Sequence, residues 1–496
     1  MERRVAQGRL TDSRTGANAL PWPMRRVSLV VAIGFVVTAL ALFMLRQPQT
    51  YYNHFVWQAD AFLHGRAEID YPVPPGKDTQ GNELFQDVLP VPGPNGEEPG
   101  RGLIPFPPLP AIVLLPFVAI WGLATDQHFV GAVLGAIDVG LAWWMLGRLP
   151  IAFRTRVLAT TFFAFGTVFW YTAQLATTWY FAHIVAVGLT FVAIGLAIGA
   201  DPQSVQDATA EEEAADEPHD PRRRFDSRLA TLRSPLSVEP RQFAAGVALG
   251  LAATARLPVL LGAPFLALVG AGGSVVRRGW SAALGAALPV AALVVYNLVS
   301  TGHLVQPVYD YLYRLEALGY PELNYNPAWE LEDPRYIPQN LGIAVFSLPV
   351  LFPDVEPRAI GAQPLCVEPD ARRGLLDASC PIALPRDTGM SVLFSSPAYL
   401  LAIPVLIRAY TRARLVTGAG IAVLFIAVFN LMHFSQGWVQ IGYRFANDFA
   451  PFALPLVALG IDGARGPIGR RATLVLIGAS VAVSAWSVML QHALGW

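Results

Sequence analysis

Charge is the scarcest commodity in this chain. Of 496 residues, 14% are charged and 54% hydrophobic, against about a quarter charged in ordinary soluble domains, which excludes an ordinary soluble enzyme. Lysine is almost missing: Lys77 is the only one, and arginine carries nearly all the positive charge. The formal net charge of −1 leaves no global basic footprint for nucleic acid. Cysteine is limited to two residues, so the chain is no disulfide scaffold. No P-loop, no Gly-x-Ser-x-Gly and no Gly-x-Gly-x-x-Gly after a strand is present, so a nucleotide site and a nucleophile elbow have no support. Proline (41) and glycine (43) are plentiful but scattered, which rules out collagen and low complexity.

What is there is a series of long apolar runs. A helix needs about 20 mostly apolar residues to cross a bilayer, and runs of that kind lie near 28–45, 128–147, 157–173, 181–199, 242–256, 258–274, 280–299, 390–407, 413–431, 448–463 and 471–490. They predict an all-α polytopic membrane protein of about 11 transmembrane helices. Two shorter stretches, 105–122 and 341–352, are ambiguous, the first opening on Pro105-Phe106-Pro107-Pro108-Leu109-Pro110. Arginine-rich loops favour the cytoplasmic side. The basic N-terminus and the loops at Arg148/Arg154/Arg156, Arg277/Arg278, Arg408/Arg412/Arg414 and Arg465/Arg470/Arg471 share that side only if 105–122 does not cross. The organisation expected is a cytoplasmic segment 1–27, a retained first helix 28–45 and an external loop 46–127 with juxtamembrane or re-entrant helices. Helices 2–7 follow over 128–299, with a cytoplasmic linker at 200–241, then an external region 300–389 and helices 8–11 over 390–496. The expected location is the plasma (inner) membrane, with the C-terminus outside. Cys366 and Cys380 both fall in an external loop, where an oxidising compartment permits a disulfide worth roughly 3 kcal/mol; two free thiols are the other reading.

The candidate chemistry lies on the external side. Tyr51–Gly65 has helical spacing, with Phe55, Ala59, Phe62 and Leu63 on one stripe, as in a helix lying on the membrane surface. Asp60 sits beside that stripe, where a carboxylate is costly unless paired or used, and is a candidate general base. Asp60, the later Pro107-Pro108-Leu109 and the many spans together resemble the GT-C glycosyltransferases, family 39-like enzymes that use polyprenyl-phosphate sugars and include the protein O-mannosyltransferases and the aminoarabinose transferase of lipid A. The resemblance implies a GT-C-like bundle, a long first external loop with its acid near the reacting centre, and a juxtamembrane helix after Pro-Pro-Leu. It implies inverting transfer from a polyprenyl-phosphate sugar donor to a hydroxyl on a protein, lipid or glycan acceptor, among membrane lipids and without nucleic acid.

The chain departs from that pattern in places. Asp60 is followed by Ala61 where protein mannosyltransferases carry Asp-Glu, Phe106 stands where a basic residue or His is common, and Thr177–His183 lacks an acid. Hard cations want several oxygen ligands, so a divalent metal is poorly supported and no cofactor is expected.

A lipid phosphate needs cations near the outer surface, and the guanidinium fork suits phosphate oxygens. Arg444, Arg256 and Arg314 are the candidates by position, with His183 and Asp448 beside them and Trp438 and Tyr320 as surfaces for a sugar. Structural readings stand next to each. Arg444 and Asp448 are spaced as an i, i+4 ion pair, Arg256 could snorkel, Arg314 could be a solvated charge, and His183 could be a satisfied helix-start histidine. Trp438 and Tyr320 could belong to the interfacial aromatic belt. Two other functions remain open: a secondary transporter or lipid flippase using the mid-span Asp138, and an oligosaccharide ligase or polymerase of similar layout.

Overall fold

A computed structural model describes residues 22–45, 52–72, 85, 87–91, 100–201, 237–315, 326, 328–358, 361–410, 413–437 and 439–494. Tyr320, Trp438, the basic segment 1–21 and most of the linker lie outside the described residues.

Among the described residues, six helices are long and apolar enough to cross a membrane: Arg26–Phe43, Gln127–Leu146, Thr178–Ala200, Val275–Thr301, Arg414–Leu431 and Gly466–Leu494. Several other apolar runs fold as shorter pieces. The run expected at 157–173 divides into Phe153–Phe165 and Phe169–Leu175, and 258–274 divides into a 3-10 segment Leu257–Gly262 and a helix Ala263–Leu268. Likewise 390–407 becomes Val392–Ser395, a 3-10 segment Pro397–Leu401 and Ala402–Ala409. Pro258, Pro264 and Pro397 stand at the new starts, where a missing N–H and a fixed φ are tolerated. Hydropathy sees length in the bilayer and is blind to such breaks.

In chain order the helices before the linker are α1 (Trp22–Phe43), α2 (His54–Leu63), α3 (Leu109–Trp121), α4 (Gln127–Leu146), α5 (Phe153–Phe165), α6 (Phe169–Leu175) and α7 (Thr178–Ala200). After it come α8 (Pro240–Ala253), α9 (Ala263–Leu268), α10 (Val275–Thr301), α11 (Ile337–Leu341), α12 (Val392–Ser395), α13 (Ala402–Ala409), α14 (Arg414–Leu431), α15 (Ala446–Asp462) and α16 (Gly466–Leu494). Small residues let α8 and α10 approach closely: a Cβ on Gly246 would stand 2.1 Å from the Ala282 carbonyl oxygen, and one on Gly285 2.1 Å from that of Phe243.

Hydrogen bonds sort the helix ends into two groups. At one end, Asp462 accepts from the Ala152 amide (3.0 Å) and the Thr155 hydroxyl (2.7 Å), while Asp201 accepts from the Gly270 amide and faces Arg414 at 3.4 Å. At the other, the Thr178 amide donates to Tyr52, and Tyr171 and Tyr180 both donate to the Val439 carbonyl. The Leu109 amide donates to Thr254 at this second end, and Gln127 donates to Ala176 there. Stretch 105–122 therefore starts and finishes at one end of the bundle. It is α3, 13 residues interrupted by Pro116.

The segments between helices are not all helical. Strands β1 (Ile69–Asp70), β2 (Leu89–Pro90) and β3 (Arg101–Leu103) form an antiparallel sheet in the order β1-β3-β2, registered Asp70 to Arg101 and Leu89 to Leu103. Strands β4 (Val350–Leu351) and β5 (Ala383–Leu384) pair antiparallel. An all-α reading has no room for them, because strands of two or three residues show no alternation in sequence. Stretch 341–352 folds as a π-helical turn, Gly342–Phe346, leading to β4. Helix α2 buries Phe55 and Ala59 as its stripe predicts, but Leu63 points outward at 47% exposure. Cys366 and Cys380 are disulfide-bonded. Their loop rests on the end of α16, where Leu365 and Leu384 pack on Leu490 and the Trp486 indole donates to the Leu375 carbonyl.

Candidate functional site

Asp448 lies in the first turn of α15, where helix-end amides favour a carboxylate. It is fully buried and gathers residues from three other helices or their ends. Arg256, just beyond α8, meets it with two bonds, Nε to Oδ1 at 3.2 Å and Nη2 to Oδ2 at 2.9 Å. His183 Nδ1, from the second turn of α7, lies 2.9 Å from Oδ1, and the Asn430 amide from the end of α14 donates to Oδ2 at 3.1 Å. A two-pronged Arg–carboxylate pair is the strong form of such a bond, so Arg256 and His183 are locked in place. Arg256 still shows 22% of its side chain to the outside.

Arg444 is held differently. Its i, i+4 spacing predicts a pair with Asp448, but Asp448 is taken by Arg256 and His183. The Arg444 guanidinium instead lies 5.1 Å from the centre of the Phe445 ring, and that of Arg256 lies 5.2 Å from the same ring. Tyr180 flanks Arg444 at 5.8 Å. Such faces attract cations without neutralising them. Among the described residues no carboxylate forms an ion pair with Arg444, and its Nε is buried without a partner. His183 Nε2 and the Tyr443 hydroxyl, both buried, are also without partners.

The loop before α15 is shaped to hold that guanidinium. Gln440 donates to the carbonyls of Thr388 and Gln436 and accepts from the Arg444 amide. Gly437 has φ +95°, and a Cβ there would stand 2.6 Å from Arg444 Cζ. Replacing Gly437 with Ala is expected to strain the backbone by roughly 1–2 kcal/mol and to push the guanidinium aside. Thermal unfolding should shift only by what that strain implies; a guanidinium still stacked on Phe445 in a structure of the variant would show that Arg444 does not need this seat.

A carboxylate that sequence reasoning missed faces the same cluster. Asp87, partly buried in the first external loop, accepts from the Trp179 indole at 2.8 Å, from the Tyr309 hydroxyl at 3.5 Å and from the Tyr313 hydroxyl. Burial pushes its carboxyl up to about 6, while Trp179, Arg444 and Tyr309 pull it back down. The Tyr309 phenol is raised well above its ordinary value, by burial first and then by Asp87. Phe106 and Phe434 pack edge-on to Tyr309 at 5.8 and 6.2 Å, so the carboxylate sits in an aromatic wall. Its only sequence signal is a lone acid before the apolar Val88-Leu89.

Of the residues expected from sequence, the fold brings Arg256, His183, Asp448 and Arg444 together around Phe445. Asp60 is on α2 with its carboxylate 3.6 Å from His64, outside the ion pairs and hydrogen bonds of the cluster. Arg314 lies in the π-helical turn Asp310–Leu315, and its side chain, like Tyr320 and Trp438, is outside the described residues. Asp138 is buried in α4 against Gly188, with Oδ2 unpartnered. Among the described residues no group of three or more His, Cys, Asp or Glu gathers as a metal site would.

No protein-family profile and no curated protein matches the sequence. Among solved structures, the chain is similar to ArnT from Cupriavidus metallidurans bound to undecaprenyl phosphate, with 12% identity and a TM-score of 0.44. The similarity covers 91% of this chain, which spans 62% of that one.

Proposed function

We propose that this chain is an integral membrane glycosyltransferase that moves a sugar from a polyprenyl-phosphate donor to an acceptor hydroxyl at the external face, with inversion. The observation that carries this reading is a cation, Arg444, that forms no ion pair among the described residues. Arg256 forms a two-pronged pair with Asp448, whereas among the described residues Arg444 forms no ion pair, and its buried Nε and the buried Tyr443 hydroxyl lack hydrogen-bond partners. Leaving such groups unmade costs about 1–3 kcal/mol each, a cost that an anionic ligand with several oxygens removes. Arg444 would meet the lipid phosphate, with the exposed side of Arg256 as second cation. As the sugar–oxygen bond breaks, charge grows on that phosphate, and fixed guanidiniums stabilise it where it develops. A first-loop carboxylate would take the acceptor's proton.

The sequence resemblance to GT-C enzymes supports the same reading, as does the gathering of Arg256, Arg444 and Asp448 at the end of the bundle opposite the arginine-rich loops. If the basic N-terminus lies inside, the first helix carries the chain to that end, which is then the external one. The test uses purified protein in lipid nanodiscs, titrated with undecaprenyl phosphate and then given polyprenyl-phosphate hexoses and pentoses with membrane acceptors. Saturable binding and a glycosylated product of inverted anomeric configuration are expected. Solute uptake or lipid exchange in proteoliposomes without any glycosylated product would overturn the reading in favour of a transporter using Asp138.

A further inference from the structure

The resemblance points to Asp60 as the carboxylate beside the reaction, and the fold seats Asp60 with His64 on α2. Asp87 has the surroundings that role needs. It is carried by the turn that leads into β2, and its φ of +66° turns the chain sharply there, a backbone region that Asp tolerates better than most residues. The turn is anchored by its neighbours, since Leu89 and Val91 pack with Leu103, Val308 and Leu312. Three donors from two separate parts of the chain, Trp179 on α7 and Tyr309 and Tyr313 beyond α10, aim the carboxylate. The ionisable groups around it are Tyr309, Tyr313 and Arg444; Trp179 is a neutral donor.

We infer that Asp87 is the proton acceptor of the transfer reaction, with the phosphate-binding Arg444 as a cation whose charge reaches it and Trp179 as its positioning residue. This rests on the glycosyltransferase reading. In the step, the acceptor hydroxyl gives its proton to an Asp87 oxygen and its oxygen bonds to the anomeric carbon. The bond from that carbon to the phosphate oxygen breaks, its electron pair stays on the phosphate, and Arg444 faces the new charge. The proton leaves Asp87 for water before the next turnover. An ionised carboxylate is required, so activity must fall as pH drops through the value of the folded group, about 6.

Asp87→Asn keeps shape and loses basicity. It is expected to lower transfer from polyprenyl-phosphate sugars by about 100-fold or more while undecaprenyl phosphate still binds, which also reports that the protein is folded. Trp179→Phe removes a donor to the ionised form, so the acid limb of the pH–rate profile should move to higher pH, a change that a packing defect does not produce. Transfer within about threefold of wild type in Asp87→Asn, or loss of lipid binding together with transfer, would overturn the inference. So would an Asp60→Asn variant that alone abolishes transfer. Wild-type protein that transfers no sugar from any donor takes down the glycosyltransferase reading itself, an outcome distinct from a failure confined to the variants.

Discussion

Arg444→Ala is expected to lower affinity for undecaprenyl phosphate, the probe lipid of the proposed function, by about 30-fold or more, the largest binding effect expected from any single change at the site. Truncating one partner of a desolvated, hydrogen-bonded charge pair costs about 2–5 kcal/mol, and 1.4 kcal/mol is tenfold in affinity. Arg444 qualifies because Phe445 and Tyr180 flank it, Gly437 gives it room, and no carboxylate among the described residues forms an ion pair with it. Lysine at this position should recover little, since a point charge on a flexible stem has neither the planar fork nor the ring stacking. Titration of nanodisc-embedded protein with the lipid checks both variants. Wild-type affinity in Arg444→Ala would remove the cation from the site.

The second large effect falls on stability. Asp448→Ala takes from Arg256 the carboxylate it pairs with and strips a partner from His183 and Asn430, all at the packed start of α15. Breaking a buried pair from one side is destabilising by about 3–5 kcal/mol. That is a large part of the 5–15 kcal/mol that usually separates folded from unfolded protein. The detergent-solubilised variant should lose its folded half-life and unfold at a clearly lower temperature. Asp448→Asn should lie between, because an amide oxygen still accepts from Arg256 but carries no charge. Wild-type melting of Asp448→Ala would mean that solvent reaches Arg256 freely and that the pair is ornamental. The two variants separate roles within one cluster: Arg444 is expected to matter to the ligand and Asp448 to the fold.

Position along the chain was a good guide to Arg256, His183, Asp448 and Arg444 as a set, because each stands where an apolar run ends on the same side. It was a poor guide to their pairing. Spacing favours Arg444 with Asp448, since local contacts are the ones a helix period exposes. The Asp448 carboxylate is instead reached from α7 and from the end of α8, 265 and 192 residues away in sequence. Asp87 was illegible for a related reason. It lies in irregular backbone, and its three donors come from residues 92, 222 and 226 positions further on. No window of sequence contains such a neighbourhood.

The scarcity of charge thus determined a good deal by itself. With water excluded from the apolar runs, the remaining arginines belong at their ends, and their bias is the signal the sequence offers for sidedness. It also narrowed the candidates to a short list, from which Asp87 was absent. What only the tertiary structure decided is which of those charges cancel. Two arginines share one phenylalanine ring and one carboxylate, and the carboxylate goes to Arg256. Burial makes that choice matter, because a low-dielectric interior strengthens a matched pair and leaves an unmatched charge in need of a partner. Composition counts charges, and only the folded packing of α7, α8, α14 and α15 subtracts them.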